Sequence, residues 1–309
     1  MYNLRVVMNI NILSRHSLSD CLGRYTEWLA TTRRYAERSK REYRDMSLLS
    51  SSISRSAVIS GWSQWVQRQH LTGFLAQCAA LGHAASTRRR SVAAIRSFFS
   101  FLVQEGVVRY SPADDLLPPE RETRPPRVLS EDEYTRLRAA ASDHLRDGAL
   151  IEMTLQTGLR LSEIARLKAT DIVLPPPSSA DTAVGHVRIA GRASRGRTVT
   201  FNARACAALR AYLVERDETD SPALFLTKFG LGIGPRGIEN IMTKYCEQAG
   251  ITGASVHSLR HTMAVQMLRR GATPTIVGTA LGHASPDTTS IYVELAREAM
   301  DAELQRAAL

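Results

Sequence analysis

A proline-rich stretch near the middle of the chain restricts the fold more than any other feature of the sequence. The stretch "LPPERETRPPR" (Leu117–Arg127) contains four prolines and charges of both signs. Proline has no backbone N–H and fixes φ, so this segment cannot continue a helix and should be extended. Ser130 and Glu133 follow it with the spacing of a helix capping box. The sequence therefore predicts a first domain over residues 14–110, a linker over 111–128 and a second domain over 129–309.

The part before the linker contains only patterns that are typical of helices. The clearest is "RSVAAIRSFFSFLV" (Arg90–Val103). Its apolar side chains recur at helical spacing and predict one buried stripe: Val92, Ile95, Phe99 and Leu102. We expect an all-helical first domain.

Positive charge is concentrated in this first part. The whole chain carries a formal net charge of +10. Residues 1–124 have 18 Lys and Arg against 10 Asp and Glu, whereas residues 125–309 have 22 against 20. A basic domain favours a polyanionic partner such as nucleic acid, although a merely soluble basic surface gives the same count. The candidate DNA-binding residues open the clearest helix, with a solvated basic helix end as the alternative: Thr87, Arg88, Arg89 and Arg90.

The part after the linker mixes helices with one small sheet. We predict helices over about 130–142 and 147–157, a short helix from Leu161, and further helices from Ala203 to the C-terminus. Between them, "HVRIA" (His186–Ala190) and "RTVTF" (Arg197–Phe201) alternate as strands do and predict a hairpin. The expected fold class is mainly α with a small β-sheet.

The cysteines and the hydropathy pattern indicate where such a chain works. The four cysteines are scattered without a C-x-x-C pair, as is usual in a reducing compartment. No apolar stretch is long enough to cross a bilayer. We therefore expect a cytoplasmic protein that has no membrane partner.

A set of arginines, histidines and one tyrosine in the second part points to phosphoryl chemistry. His257, Arg260 and His261 stand at i, i+3 and i+4, which places them on one helical face. Guanidinium groups match the geometry of phosphate oxygens, and histidines titrate near neutrality. A zinc site of the H-E-x-x-H kind is not supported, because Ser258 follows the first histidine. No carboxylate cluster accompanies the set, so we expect metal-independent chemistry.

Three ordered segments of the chain resemble the tyrosine recombinases, that is, phage integrases and Xer-type recombinases. The segments are "TGLRLSEIARL" (Thr157–Leu167), "HSLRHTMAVQML" (His257–Leu268) and "LGHASPDTTSIYVEL" (Leu281–Leu295). In the last of them, Tyr292 follows His283 by nine residues, as in the family. In addition, "ASTRRRSVAAIRSFFSFL" (Ala85–Leu102) resembles the last helix of the family's core-binding domain.

The resemblance implies a role for each matching residue. Tyr292 would be the nucleophile that forms a 3′-phosphotyrosyl bond, and Arg160 and Arg260 would hold the scissile phosphate. His257 would be the general acid/base, and His283 would donate a hydrogen bond to the phosphate. Two neighbours would support them, His261 as a structural residue and Glu163 as a brace for the arginine turn.

The resemblance also implies an assembly. A helical core-binding domain and a mixed α/β-hairpin catalytic domain would close around double-stranded DNA that carries an inverted-repeat site. Two copies would bind each site, and four would form the recombining complex. A helix at the C-terminus, with an apolar stripe of Leu295, Met300 and Leu304, would dock on a neighbouring copy, with packing on its own domain as the alternative. No cofactor is expected, because the phosphotyrosyl bond conserves the energy of the phosphodiester.

The hairpin departs from the family pattern. Where the family has a lysine that protonates the leaving oxygen, this sequence has Arg192. With a pKa above about 12, an arginine is a poor proton donor. We therefore predict an active but slow enzyme in which Arg192 contributes through its charge.

Two alternatives remain open at this level. A type IB topoisomerase uses a similar residue set on one duplex, although the two-domain layout argues against it. A non-catalytic DNA-binding protein on the same scaffold is favoured by Arg192 alone and opposed by the otherwise complete residue set. The biological role is open as well, since integration, transposition and dimer resolution would leave the same sequence signature.

Overall fold

The fold is taken from a computed structural model that describes residues 18–31, 66–120, 125–176, 184–190, 196–283 and 287–307. The chain divides into two compact units, residues 1–124 and residues 125–309. The division falls inside the proline-rich stretch, whose residues 121–124 lie outside the described residues. Each unit has its own hydrophobic core.

The described part of the first unit is helical. It contains α1 (Leu18–Thr31), α2 (Arg68–Ala80) and α3 (Ala85–Gln104). The four side chains of the expected stripe on α3 are all buried, none of them more than 1% exposed. Around them, Tyr25 of α1 packs edge-on against Phe98 of α3, with ring centroids 5.2 Å apart. The prediction of a helical first domain built on this stripe is confirmed over the described residues.

The second unit is mainly helical around a small sheet. Its helices are α4 (Glu131–Ala140), α5 (Leu145–Thr157), α6 (Leu161–Ile164), α7 (Ala203–Glu215), α8 (Pro235–Gln248), α9 (Val256–Arg269), α10 (Pro274–Leu281) and α11 (Asp287–Ala307). The expected capping box opens α4, where Ser130 Oγ accepts a hydrogen bond from the Glu133 N–H and the Glu133 carboxylate accepts one from the Ser130 N–H.

The sheet has three antiparallel strands in the order β1 (Ile172–Val173), β2 (Gly185–Ile189) and β3 (Arg197–Phe201). β2 and β3 form the expected hairpin, with Val187 opposite Val199. β1 was not expected from the sequence, because two residues are too few to show an alternating pattern. The predicted fold class, mainly α with a small β-sheet, is confirmed.

Helix α5 lies at the centre of the second unit and positions the elements of the candidate site. Most of its residues are buried, and it packs against α7, α9 and β3. Helix α9 in turn packs against α10 and α11. The N-terminal half of α11 is covered by its own unit, since Tyr292 and Ala296 are buried, whereas Met300 is half exposed. Among the helices within the described ranges, none is long and apolar enough to span a membrane.

Candidate active site

Two helices of the second unit end in left-handed glycines, and their last carbonyl groups are held by arginines. Gly158 ends α5 with φ 56° and Gly282 ends α10 with φ 66°. The final carbonyl groups of a helix have no partner inside the helix and need donors from elsewhere. Three guanidinium groups, those of Arg160, Arg197 and Arg260, donate to these two ends.

Arg260 is the most deeply buried of the three, with 5% of its surface exposed. It projects from α9 and donates one hydrogen bond to the Gly158 carbonyl at 2.6 Å and another to the Leu281 carbonyl at 2.7 Å. Burial, followed by the nearby charge of Arg160, lowers the pKa of Arg260 to about 10. The group therefore stays charged at neutral pH, and in the described residues none of its hydrogen bonds goes to a carboxylate.

Arg160 lies at the entry of α6, and Glu163 supports it. The Arg160 N–H donates to Glu163 Oε2 at 2.8 Å, and its Nη1 donates to Glu163 Oε1 at 3.1 Å. Its Nη2 donates to the Gly282 carbonyl at 3.0 Å. The side chain is 40% exposed, so Arg160 keeps access to solvent while Glu163 braces its turn.

Arg197 is a member of this group that the sequence did not single out. It opens β3 and pairs with both oxygens of Glu163, at 2.8 Å and 2.9 Å, while its Nε donates to the Ala280 carbonyl at 3.0 Å. A usable signal was present, because Arg197 shares its strand face with Val199 and Phe201, which are buried. An arginine on the buried face of a strand requires an anionic or carbonyl partner.

Tyr292 lies beside the arginines and is 3% exposed. Its hydroxyl oxygen is 2.9 Å from His261 Nδ1, and its ring stacks on the His283 ring with centroids 6.0 Å apart. Burial raises the pKa of the Tyr292 phenol, while the charges of Arg260 and Arg160 act in the opposite direction. The phenol is therefore held neutral in a positive environment.

The two histidines that touch Tyr292 are both held in the neutral form. Burial is the main cause, and it lowers the pKa of His261 and of His283 to about 4 in each case. The charge of His257 adds to this effect at His261, and the charge of Arg260 adds to it at His283. His283 is further oriented by Thr289, a buried residue that the sequence did not single out, whose Oγ1 lies 2.8 Å from His283 Nδ1.

The structure describes one of the two remaining candidate residues. His257 is exposed in the first turn of α9. Arg192 lies outside the described residues, and so does the rest of the segment 191–195. Among the described residues, no group of three or more His, Cys, Asp or Glu side chains is arranged to hold a metal ion.

The candidate DNA-binding residues occupy the first turns of α3 in the first unit. Arg89 Nη1 donates to the Pro119 carbonyl at 2.7 Å, and Arg90 Nη2 donates to Thr87 Oγ1 at 3.3 Å. Arg88 Nε is buried and has no hydrogen-bond partner in the described part of the chain. Only part of this cluster is thus engaged by the protein itself.

Gly282 provides a direct test of the packing between Arg197 and the end of α10. A Cβ atom at this position would lie 2.9 Å from Arg197 Nη1 and 3.0 Å from its Cζ, and φ is +66°. We expect Gly282→Ala to lower the free energy of unfolding by more than the ~1–2 kcal/mol that the left-handed backbone alone costs an L-residue. Urea denaturation measures this difference.

Gly253→Ala is the matched control for this substitution. Gly253 has φ +67° but no atom within 4 Å of the position that its Cβ would take. It should therefore report the backbone cost alone. Equal losses of stability in the two variants would show that Arg197 does not press on Gly282.

The neutral histidines make the stability of the second unit depend on pH. The unfolded chain binds a proton at each imidazole near the usual pKa of 6.5, whereas the folded chain does so only near 4. Stability supplied by these groups is therefore complete above about pH 6.5 and is lost as the pH falls towards 4. We expect the urea midpoint to fall between pH 7.5 and pH 5.5, where carboxylates stay ionised. The double variant His261→Asn, His283→Asn should show a smaller fall, and an undiminished fall would exclude these groups as the cause.

Comparison with known protein families agrees with the sequence resemblance. The model of the phage integrase family matches residues 127–299, and that of the phage integrase N-terminal SAM-like domain matches residues 22–106. The tyrosine recombinase XerC of Roseiflexus sp. (strain RS-1) is 32% identical over 242 residues, which cover 74% of this chain and 75% of that protein. The XerC of Shewanella amazonensis (strain ATCC BAA-1098 / SB2B) is 30% identical over 282 residues, with 89% and 90% covered.

Solved structures show the same fold. The superposition on the crystal structure of XerA recombinase covers 95% of this chain and 99% of the XerA chain, with 25% sequence identity and a TM-score of 0.52. A lambda integrase dimer bound to a COC′ core site covers 94% and 81%, with 17% identity and a TM-score of 0.72. XerH bound to palindromic difH covers 96% of both chains, with 17% identity and a TM-score of 0.71. The chain therefore belongs to the phage integrase family and is a tyrosine recombinase, an enzyme of site-specific DNA recombination.

Proposed function

We propose that this recombinase cuts and rejoins DNA strands through a 3′-phosphotyrosyl intermediate on Tyr292. The observation that carries the proposal is the buried Arg260 guanidinium, which keeps its charge without a carboxylate hydrogen-bond partner in the described residues and acts to lower the pKa of the nearby Tyr292 phenol. A buried cation of this kind is suited to stabilise an anion that arrives from outside. The phosphate of DNA is such an anion.

The reaction conserves the phosphodiester bond energy. The Tyr292 oxygen attacks the scissile phosphorus and forms a new O–P bond, while the bond between phosphorus and the 5′ oxygen breaks. The phosphate therefore stays on the 3′ end of the cut strand, linked to Tyr292. The phenol loses its proton, and the 5′ oxygen gains one. Attack by a 5′ hydroxyl of another strand reverses these steps and releases Tyr292, so no external energy source is needed.

The side chains around Tyr292 have complementary roles in this proposal. Arg160 and Arg260 bind the non-bridging phosphate oxygens, on which negative charge grows in the transition state. His283, which is neutral, donates to the phosphate through Nε2, an arrangement supported by the contact of its Nδ1 with Thr289 Oγ1. His257 is exposed at the start of α9 and acts as the general acid/base.

Arg192 and the buried position of Tyr292 both affect the rate. Arg192 contributes its charge to the site but is a poor proton donor, so cleavage is slow relative to an enzyme that has a lysine there. Since Tyr292 is 3% exposed, its hydroxyl must also leave His261 and reach the phosphate when DNA binds. This step requires that the start of α11 moves.

The DNA partner is double-stranded and carries an inverted-repeat site. The excess positive charge of residues 1–124 supports a binding role for the first unit, with Thr87, Arg88, Arg89 and Arg90 contacting phosphates. Two copies bind each site and four form the synaptic complex, with the end of α11 docking on a neighbouring copy. The half-exposed Met300 supports that docking. The biological setting is integration, transposition or dimer resolution of a mobile or circular replicon.

A plasmid assay tests this function against its alternatives. The binding site is first selected from a randomised duplex library, and two copies are placed in direct repeat on a supercoiled plasmid. We expect deletion of the intervening DNA in the presence of EDTA and without ATP. Relaxation without deletion would favour a type IB topoisomerase, and binding without either product would favour a non-catalytic DNA-binding protein.

A further inference from the structure

We infer that Arg197 is a positioning residue of this site, which neutralises Glu163 and thereby leaves the Arg160 guanidinium available to phosphate. The inference rests on the proposed function, because it concerns the same anion site. The residue lies on β3, far in sequence from α6 and α10, yet it joins these three elements.

The hydrogen bonds of Arg197 show that it acts through Glu163 rather than on the phosphate. Its Nε and both of its terminal nitrogens already donate, to Ala280 and to the two Glu163 oxygens. The side chain is 18% exposed, compared with 40% for Arg160. Arg197 is thus held by hydrogen bonds within the protein, whereas the Arg160 guanidinium remains partly exposed to solvent.

Glu163 would oppose phosphate binding if Arg197 were absent. Burial disfavours its charge, but the hydrogen bonds from Arg197 and from the Arg160 N–H, together with both arginine charges, hold its pKa below the usual range. The carboxylate is therefore ionised within an anion site. Three guanidinium groups and this one carboxylate give a net charge of two, which would fall to one without Arg197.

The geometry indicates what Arg160 would do in that case. At present it makes one side-chain hydrogen bond to Glu163, at 3.1 Å, while Arg197 occupies the carboxylate with two shorter ones. If Arg197 is removed, the Arg160 guanidinium can form a bidentate ion pair with the Glu163 carboxylate, since these two groups prefer that arrangement. Arg160 would then turn away from the phosphate.

The test compares Arg197→Gln with the double variant Arg197→Gln, Glu163→Gln. Single-turnover cleavage of a selected, nicked DNA site should fall by roughly 10- to 100-fold in the single variant. It should recover by about 10-fold in the double variant, because the unpaired carboxylate is gone while the amide oxygen can still accept from the Arg160 N–H. Arg197→Lys should retain more activity than Arg197→Gln.

A pH profile separates this role from a structural one. Without Arg197, the pKa of Glu163 rises, and protonation of Glu163 at lower pH removes the opposing charge. The cleavage rate of Arg197→Gln relative to the wild type should therefore rise as the pH falls from 7.5 to 5.5, and the double variant should show no such rise. The matched control is Arg138→Gln, because Arg138 also forms a bidentate ion pair in the same unit. Its two hydrogen bonds to the Glu152 carboxylate are 2.7 Å and 3.0 Å long. This control should lower stability without changing the pH profile.

A second readout keeps the inference testable if cleavage fails. Inorganic phosphate should raise the thermal unfolding midpoint of the wild-type protein and raise that of Arg197→Gln by less. In the double variant, the increase should be larger than in Arg197→Gln. This pattern without any covalent DNA adduct in the wild type would support the role of Arg197 and refute the proposed function. Failure of the double variant to recover phosphate binding would overturn the inference, and so would failure to recover cleavage where the wild type cleaves.

Discussion

Tyr292→Phe should form no covalent adduct with DNA while retaining wild-type affinity for it. The substitution removes only the attacking oxygen, and the ring can still stack on His283. Because no other group replaces the nucleophile, cleavage should fall below detection, by at least roughly 10⁴-fold. The assay is a nicked DNA site that traps the protein-bound strand, followed by denaturing electrophoresis.

Tyr134→Phe is the control for this substitution. Tyr134 is also buried, at 8% exposed, but it belongs to α4 and is not part of the candidate site. Its variant should form the adduct normally. An adduct of unchanged yield in Tyr292→Phe would remove Tyr292 from the proposed mechanism.

Arg260→Lys should lose both cleavage and stability, although it keeps a positive charge. The guanidinium bridges the Gly158 and Leu281 carbonyls at the ends of two helices, and a single ammonium group cannot reproduce that fork. Leaving one buried carbonyl unpaired costs about 1–3 kcal/mol. Loss of a buried donor to the phosphate should slow single-turnover cleavage by roughly 10²–10³-fold.

Arg160→Lys separates these two effects. Because the Arg160 side chain is 40% exposed, its variant should lose less stability than Arg260→Lys while cleavage falls to a similar extent. Urea denaturation and single-turnover cleavage measure the two quantities on the same preparations. Wild-type cleavage by Arg260→Lys would show that the buried guanidinium is not needed in the transition state.

The fold could be predicted from the sequence where local patterns determine it. The capping box at Ser130 and the buried stripe of α3 each depend on neighbouring residues, and both predicted features are found in the described structure. The strands of the hairpin alternate over five residues, which is enough to identify them. By contrast, β1 has two residues, and its pairing with β2 is a tertiary contact.

The candidate site could be predicted only in part, for a related reason. Arg160, Arg260, His283 and Tyr292 lie in sequence motifs and are brought together at the ends of α5 and α10. Arg197 and Thr289 were missed, because their partners Glu163 and His283 become visible only when the chain folds. The resemblance implies only a supporting role for His261, because helical spacing alone does not reveal its contact with the Tyr292 hydroxyl.

The most direct test of the account is to identify the residue that becomes linked to DNA. After reaction with a nicked site, nuclease and trypsin digestion should leave a short nucleotide remnant on the peptide Gly271–Arg297, in which Tyr292 is the only tyrosine. Fragmentation by mass spectrometry should then place a 3′-phosphate ester on Tyr292. A remnant on any other residue, or no covalent peptide from protein that binds the site, would contradict the account.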